Sequence, residues 1–200
     1  MDEIFPLREG VDYTKLRITK EGEYSVTRRR DAERILGVIK AVLKDVRNKT
    51  ITDATGCVGG DTIHFGFTFK SVDSIELNPE NFEALQNNIS VYGLKNVTLH
   101  QGDATTLFNW KTDVLYVDPP WGGPAYRESK NLDLFMTNKR LDTWLEEVLL
   151  RKNRPSHIIL KLPQNFNFSR FNFLSNVDFI KPYRIRSYVL VIITVHMPKN

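Results

Sequence analysis

Cysteine occurs once in these 200 residues, at Cys57, so no internal disulfide and no cysteine-based zinc cluster can form. Long apolar runs are missing as well. No stretch approaches the roughly eighteen apolar residues a transmembrane helix needs, and no membrane partner is expected. Met1 to Gly10 alternates acidic, apolar and basic residues without the apolar core of a secretory signal, so an intracellular chain of the nucleus or cytoplasm is expected. Internal repeats, low-complexity stretches and linkers are absent too, which leaves one domain of ordinary size with a monomer as the expected state. No metal site is expected either. What the chain does have is a quarter of charged residues with a net charge of +4, and a pI near 9.1. The cations cluster at Arg28-Arg29-Arg30, at Lys139-Arg140 with Arg151-Lys152, and at Lys181, Arg184 and Arg186. That balance allows an acidic partner such as nucleic acid, although each cluster read alone is equally a solvated surface.

The apolar pattern alternates between two periods. Ile35, Val38, Ile39 and Val42 form one helical stripe, and Phe82, Leu85, Ile89 and Tyr92 another, opened by Asn78-Pro79 and stopped by Gly93. Between and after them lie β-prone runs at Thr50–Ala54, Val72–Glu76, Val97–Leu99, Val114–Val117 and His157–Leu162, with a helix over Leu141–Leu150. Val177–Ile180 and Tyr188–Val195 sit close enough to pair antiparallel. Strand–helix alternation predicts an α/β fold, a mostly parallel sheet covered on both faces. The first thirty residues read as polar and irregular.

Two places carry chemistry. Asp53-Ala54-Thr55-Gly56-Cys57-Val58-Gly59-Gly60 joins the first strand to a helix, and glycines there let the backbone approach a ligand closely. Glu76, twenty residues after Gly56, ends the second strand, where an acid can accept both hydroxyls of a ribose. Asp103 follows the third strand and is placed to take an adenine amine. The spacing of Gly56, Gly59 and Gly60 departs from the Gly-x-Gly-x-x-Gly of pyrophosphate sites. Asp53 ahead of it would repel a pyrophosphate but suits a cationic methionyl ammonium. The plain alternative is a tight strand–helix turn with no ligand.

The second place is Asp118-Pro119-Pro120-Trp121-Gly122-Gly123, directly after the fourth strand. Adjacent prolines fix the backbone and remove two competing amides, so the Pro119 carbonyl and the Asp118 carboxylate can together accept both hydrogens of an amine. Held that way, the nitrogen lone pair can be aimed at a methyl sulfonium. Trp121 offers a face on which a base can stack, worth about 1–3 kcal/mol. The catalytic candidates are therefore Asp118, Pro119 and Trp121. The plain alternative is a proline-rich turn around a buried tryptophan.

With these residues in view, the chain resembles the trimethylguanosine synthase family, enzymes that methylate the guanine N2 amine of a 7-methylguanosine RNA cap. The resemblance rests on Glu21-Gly22-Glu23-Tyr24-Ser25-Val26-Thr27, Val58-Gly59-Gly60-Asp61-Thr62, Asn87-Asn88 through Val91-Tyr92-Gly93, and above all Pro119-Pro120-Trp121-Gly122-Gly123-Pro124-Ala125-Tyr126. It implies a Rossmann-like class I methyltransferase: a mostly parallel seven-stranded sheet ending in an antiparallel hairpin, residues 31–200, behind a short N-terminal arm, residues 1–30. It implies S-adenosylmethionine as cofactor, S-adenosylhomocysteine as product and capped RNA as partner. By position, Ser25, Thr27, Asp53, Gly56, Gly59, Glu76, Asp103 and Asp118 would surround the cofactor. Asn88, Pro120, Trp121 and Tyr126 would hold the cap, with Trp121 stacked on the cationic guanine, and Lys181, Arg184 and Arg186 would take phosphates. Four departures stand out. Arg28 replaces a proline, one glycine of the turn is moved to Gly56, Gln164 replaces a phosphate-binding arginine after the fifth strand, and the arm is short.

Two other readings share these residues. The four-residue core also serves methylation of adenine or cytosine amines in DNA or internal RNA, chemistry that extrudes a base and needs a larger binding surface. A catalytically silent cap-binding module would keep Trp121 without needing Asp53, Glu76 or Asp118.

Overall fold

The β-prone runs of the first half become three parallel strands, β1 (Thr50–Asp53), β2 (Ser71–Glu76) and β3 (Val97–Gln101), with Asp53 opposite Ser74 and Glu76 opposite Gln101. The computed structural model describes residues 1 and 3–198, which form two compact units, one from Met1 to Ala104 and a second beginning at Thr105. In the first unit the helices are α1 (Gly22–Ser25), α2 (Arg29–Leu43), α3 (Gly60–Gly66) and α4 (Pro79–Val91). α2 buries Ala32, Ile35, Leu36, Ile39 and Leu43. Of the expected stripe Ile35 and Ile39 are buried while Val38 and Val42 are only partly covered, so the buried face is turned toward Leu36 and Leu43. α4 starts where Asn78 accepts hydrogen bonds from the Glu80 and Asn81 amides, with Pro79 in the first turn. It ends at Gly93, whose φ of 64° suits a residue without Cβ.

The N-terminal segment is not a loose strap. Phe5, Leu16 and Val26 are buried with Val58, Ile63, Leu85, Ile89 and Tyr92 in one apolar cluster. The polar face of α4 fixes the segment's path. Asn87 Nδ2 donates to the Lys15 carbonyl at 2.8 Å and the Tyr92 hydroxyl donates to the Pro6 carbonyl at 2.7 Å. Asn78 and Asn81 both reach the Glu21 carboxylate. Three apolar anchors with no regular spacing leave no periodic signal, which is why this stretch reads as irregular in sequence.

The second unit holds α5 (Ala104 at its boundary, to Leu107), β4 (Val114–Val117), a two-stranded antiparallel ribbon of β5 (Phe135–Met136) and β6 (Lys139–Arg140), α6 (Leu141–Leu149), β7 (His157–Pro163), β8 (Val177–Ile185) and β9 (Tyr188–Val195). β4 and β7 pair in parallel, and β7–β9 and β8–β9 pair antiparallel. The seven-stranded sheet runs β3-β2-β1-β4-β7-β9-β8, an α/β, Rossmann-like arrangement that is mostly parallel and closes on an antiparallel hairpin. β8 is longer than its apolar run and contains Pro182, which an edge strand tolerates because only one side needs its amides. Among the described residues no helix is long and apolar enough to cross a membrane.

Candidate active site

In the first unit, β1 delivers Asp53 to the turn that precedes α3. Asp53 is fully buried; its Oδ1 accepts the Thr55 amide at 3.1 Å and its Oδ2 accepts the Thr62 hydroxyl at 2.6 Å. It therefore shapes the turn. Two of the turn's residues have left-handed backbones, Cys57 with φ 47° and Gly59 with φ 101°. At Gly56 and Gly60 the requirement is space instead. A Cβ on Gly56 would lie 2.5 Å from Ser74 Oγ, and one on Gly60 would lie 2.6 Å from the Thr27 carbonyl. Val26 and Thr27 thus pack directly on the turn, and Thr27 donates its hydroxyl to Asp61 at 2.6 Å. Ser25, the last residue of α1, is exposed.

Glu76 closes β2 with both oxygens held. Oε2 accepts the Cys57 amide and Oε1 the Asn78 amide, each at 2.7 Å. Burial pushes its pKa above the ordinary glutamate value despite those two bonds. Gly102 donates its amide to the Glu76 carbonyl at 2.9 Å, which brings the end of β3, and half-buried Asp103 next to it, alongside. This donor set fits a nucleoside cofactor: a carboxylate fixed by two amides, with lone pairs remaining for hydroxyls, and a second acid at the neighbouring strand end.

Asn88 has a different task from the one its match implies. It is fully buried, and all four of its hydrogen-bonding positions are used. Oδ1 accepts from the Arg17 amide and from Asn87, while Nδ2 donates to the Arg17 and Val58 carbonyls. It ties the N-terminal segment to the glycine turn and has no capacity left for a base.

In the second unit β4 ends at Val117 and delivers Asp118. Its carboxylate Oδ2 lies 2.6 Å from Lys161 Nζ, and both side chains are nearly buried, at 15% and 10% exposure. Pro119 is buried and Pro120 exposed. The Trp121 ring meets Tyr126 edge-on, 5.2 Å between centroids and 75° between planes. Its indole N–H is buried and has no acceptor among the described residues, a donor whose desolvation costs about 1–3 kcal/mol unless something accepts from it. Tyr126 sits in a 3-10 turn, Pro124–Glu128, pinned by Asn165, whose Nδ2 donates to the Tyr126 and Ser129 carbonyls at 2.7 Å each. Tyr126 thus braces Trp121.

The third predicted cluster divides. Gln164 accepts from Arg184 Nη2 at 2.8 Å and donates to the Arg186 carbonyl at 2.6 Å, so the Arg184 side chain and the Arg186 backbone are held at the residue that follows β7. Lys181 lies further along β8, over the Tyr183 ring at 5.3 Å. Lys161 was missed in sequence. Its signal, a cation inside the apolar run Ile158-Ile159-Leu160-Lys161-Leu162, was there to be read.

The sheet order is that of the Rossmann-like methyltransferase fold. The model of the RNA cap guanine-N2 methyltransferase family matches residues 48–193, and the chain belongs to that family. An uncharacterized protein of Acanthamoeba polyphaga mimivirus is 32% identical over 166 residues, 81% of this chain and 62% of that protein. The trimethylguanosine synthase of Schizosaccharomyces pombe is 33% identical over 111 residues, 52% of this chain and 45% of the enzyme. The chain therefore spans roughly half to three-fifths of the length of these relatives. Among solved structures, a candidate RNA methyltransferase of Pyrococcus horikoshii has the same fold, with a TM-score of 0.62 at 16% identity, covering 92% of this chain and 94% of that one.

Proposed function

We propose that the protein transfers a methyl group from S-adenosylmethionine to the exocyclic N2 amine of a 7-methylguanosine RNA cap, giving 2,7-dimethylguanosine, with 2,2,7-trimethylguanosine as the product where a second methyl follows. The observation that carries this is the second-unit cluster of Asp118, the two prolines and the Trp121–Tyr126 ring pair. Asp118 and the Pro119 carbonyl accept the two amine hydrogens and orient the nitrogen lone pair for in-line attack. The cofactor supplies an electrophilic methyl on a sulfonium. As the N–C bond forms the S–C bond breaks and S-adenosylhomocysteine leaves. A strong base is not needed, because the amine proton becomes acidic only then and passes to solvent. Trp121 stacks on the cationic base, a contact that rewards the 7-methyl group by about 0.5–2 kcal/mol, and Pro120 borders it.

Glu76 and Asp103 hold the nucleoside part of the cofactor, while Asp53, Gly56 and Gly59 act through the shape of the turn. Ser25 and Thr27 border that turn from the N-terminal side. Arg184, positioned by Gln164, supplies the guanidinium that family members carry at the Gln164 position, with Arg186 and Lys181 as further phosphate partners. The protein is incubated with labelled cofactor and, in parallel, 7-methylated cap dinucleotide, its unmethylated form, capped RNA and duplex DNA, and the products are weighed by mass spectrometry. Methyl on N2 of the 7-methylated forms is expected, and Asp118→Ala should abolish it with cofactor affinity retained. Transfer to DNA and not to the cap would overturn the reading.

A further inference from the structure

Lys161 stands where a strand would ordinarily carry an apolar side chain. Its neighbours Leu160 and Leu162 are fully buried, and Lys161 itself is 8% exposed. A lysine is rarely buried unless its charge is compensated. The register supplies the compensation. β7 lies beside β4 with Leu160 opposite Val117, so the next residue on each strand brings Lys161 to Asp118, Nζ to Oδ2 at 2.6 Å. On its other side β7 pairs with β9, Pro163 opposite Tyr188. The ammonium consequently lies 5.5 Å from the Tyr188 ring centroid and 5.6 Å from that of Trp121. One cation thus contacts the carboxylate that would receive the amine and the ring on which the base would stack.

We propose that Lys161 is a positioning residue for methyl transfer: its ammonium fixes the Asp118 carboxylate and the Trp121 ring relative to each other. The inference rests on the reading of Asp118 as the amine acceptor and goes beyond it, because the acceptor geometry is then set from β7 and not by the Asp-Pro-Pro-Trp turn alone. The mechanism is electrostatic and geometric. A charge-assisted hydrogen bond is short and directional, so Oδ2 is anchored and the carboxylate plane cannot rotate. The cation–π contact holds the indole at a set distance from the same ammonium. A base stacked on that ring presents its amine to a carboxylate already in place, and a displacement of about 1 Å in such an arrangement can cost on the order of a hundredfold in rate.

The test compares wild type with Lys161→Met, which keeps chain length and burial but removes the charge, and with Lys161→Arg, which restores it. With 7-methylated cap dinucleotide, Lys161→Met should lower kcat by roughly tenfold to a hundredfold. Cofactor affinity should stay within about twofold and melting should remain cooperative, while Lys161→Arg should recover most of the rate. An activity-independent readout accompanies it. The Trp121 indole N–H resonance, assigned with Trp121→Phe, should move in Lys161→Met more than those of Trp110 and Trp144. Loss of kcat together with loss of cofactor binding would indicate a purely structural lysine and overturn the inference. So would an unchanged indole resonance, or kcat within about twofold of wild type. A wild type that leaves every cap substrate unmodified overturns the proposed function instead, and the indole shift then judges Lys161 alone.

Discussion

On the proposed reading, Glu76 would couple folding to cofactor binding in one residue. Two backbone amides hold its oxygens, yet burial is the larger effect and its pKa lies above the ordinary 4.5. The sign follows. A carboxyl with a raised pKa takes up its proton at a higher pH than usual, and the protonated form has one oxygen fewer with which to accept ribose hydroxyls. Cofactor affinity should be full where Glu76 is ionised and should fall on acidification, beginning above pH 4.5. In the unliganded protein the same shift means that this group's contribution to folding stability declines as pH rises through that window. Calorimetric titration with S-adenosylhomocysteine from pH 8 downward measures the affinity. Glu76→Ala should weaken binding about tenfold or more, as expected for lost charged hydrogen bonds, and should flatten the pH dependence. A wild-type affinity unchanged down to pH 4.5 would contradict the role.

At the scale of elements, the legible parts were those with a period or a turn motif. The helix α2 with Ile35 and Ile39 on its buried face, the cap and stop of α4, and the strands before Asp53 and Asp118 all follow from spacing. The docking of the N-terminal segment does not, because Phe5, Leu16 and Val26 reach the core from irregular backbone. Nor does a sequence show that asparagines on one helix face will serve as backbone partners for another segment. Lys161 is legible as a cation in an apolar run, but its partner is not, because strand pairing and not local pattern brings it to Asp118. The ribbon β5–β6 is too short to announce itself. Asn88 offers a test of this layer. Asn88→Ala would strand the Arg17 amide and the Arg17 and Val58 carbonyls, and should lower unfolding free energy by about 1–3 kcal/mol. Because Asn88 lacks a spare hydrogen bond for a base, KM for the cap should hold within about twofold. Denaturant melts and steady-state kinetics on the same preparation decide it, and a raised KM at unchanged stability would return Asn88 to the cap.

For the whole molecule the governing quantity is charge. A net +4 on 200 residues is modest, too small to make the surface uniformly attractive to a polyanion, so placement matters more than the sum. Arg140, Arg170 and Lys139 are paired with Asp142, Asp133 and Glu147. Arg184, by contrast, is held by a neutral partner, Gln164, so on the proposed reading its charge is offered to a phosphate. A salt dependence of capped-RNA binding should therefore arise from few contacts. Each phosphate neutralised on a single strand contributes a slope of about −0.7 in log affinity against log salt. Arg184→Ala should weaken binding at low salt and make the slope shallower by about that amount. Arg170→Ala should leave the slope unchanged, since Asp133 already neutralises that cation. Fluorescence anisotropy of a labelled, 7-methylguanosine-capped oligomer across a salt series measures both. If the slope is the same for wild type and Arg184→Ala, the β8–β9 turn does not hold phosphate, and grip on the RNA must be sought among the other basic clusters.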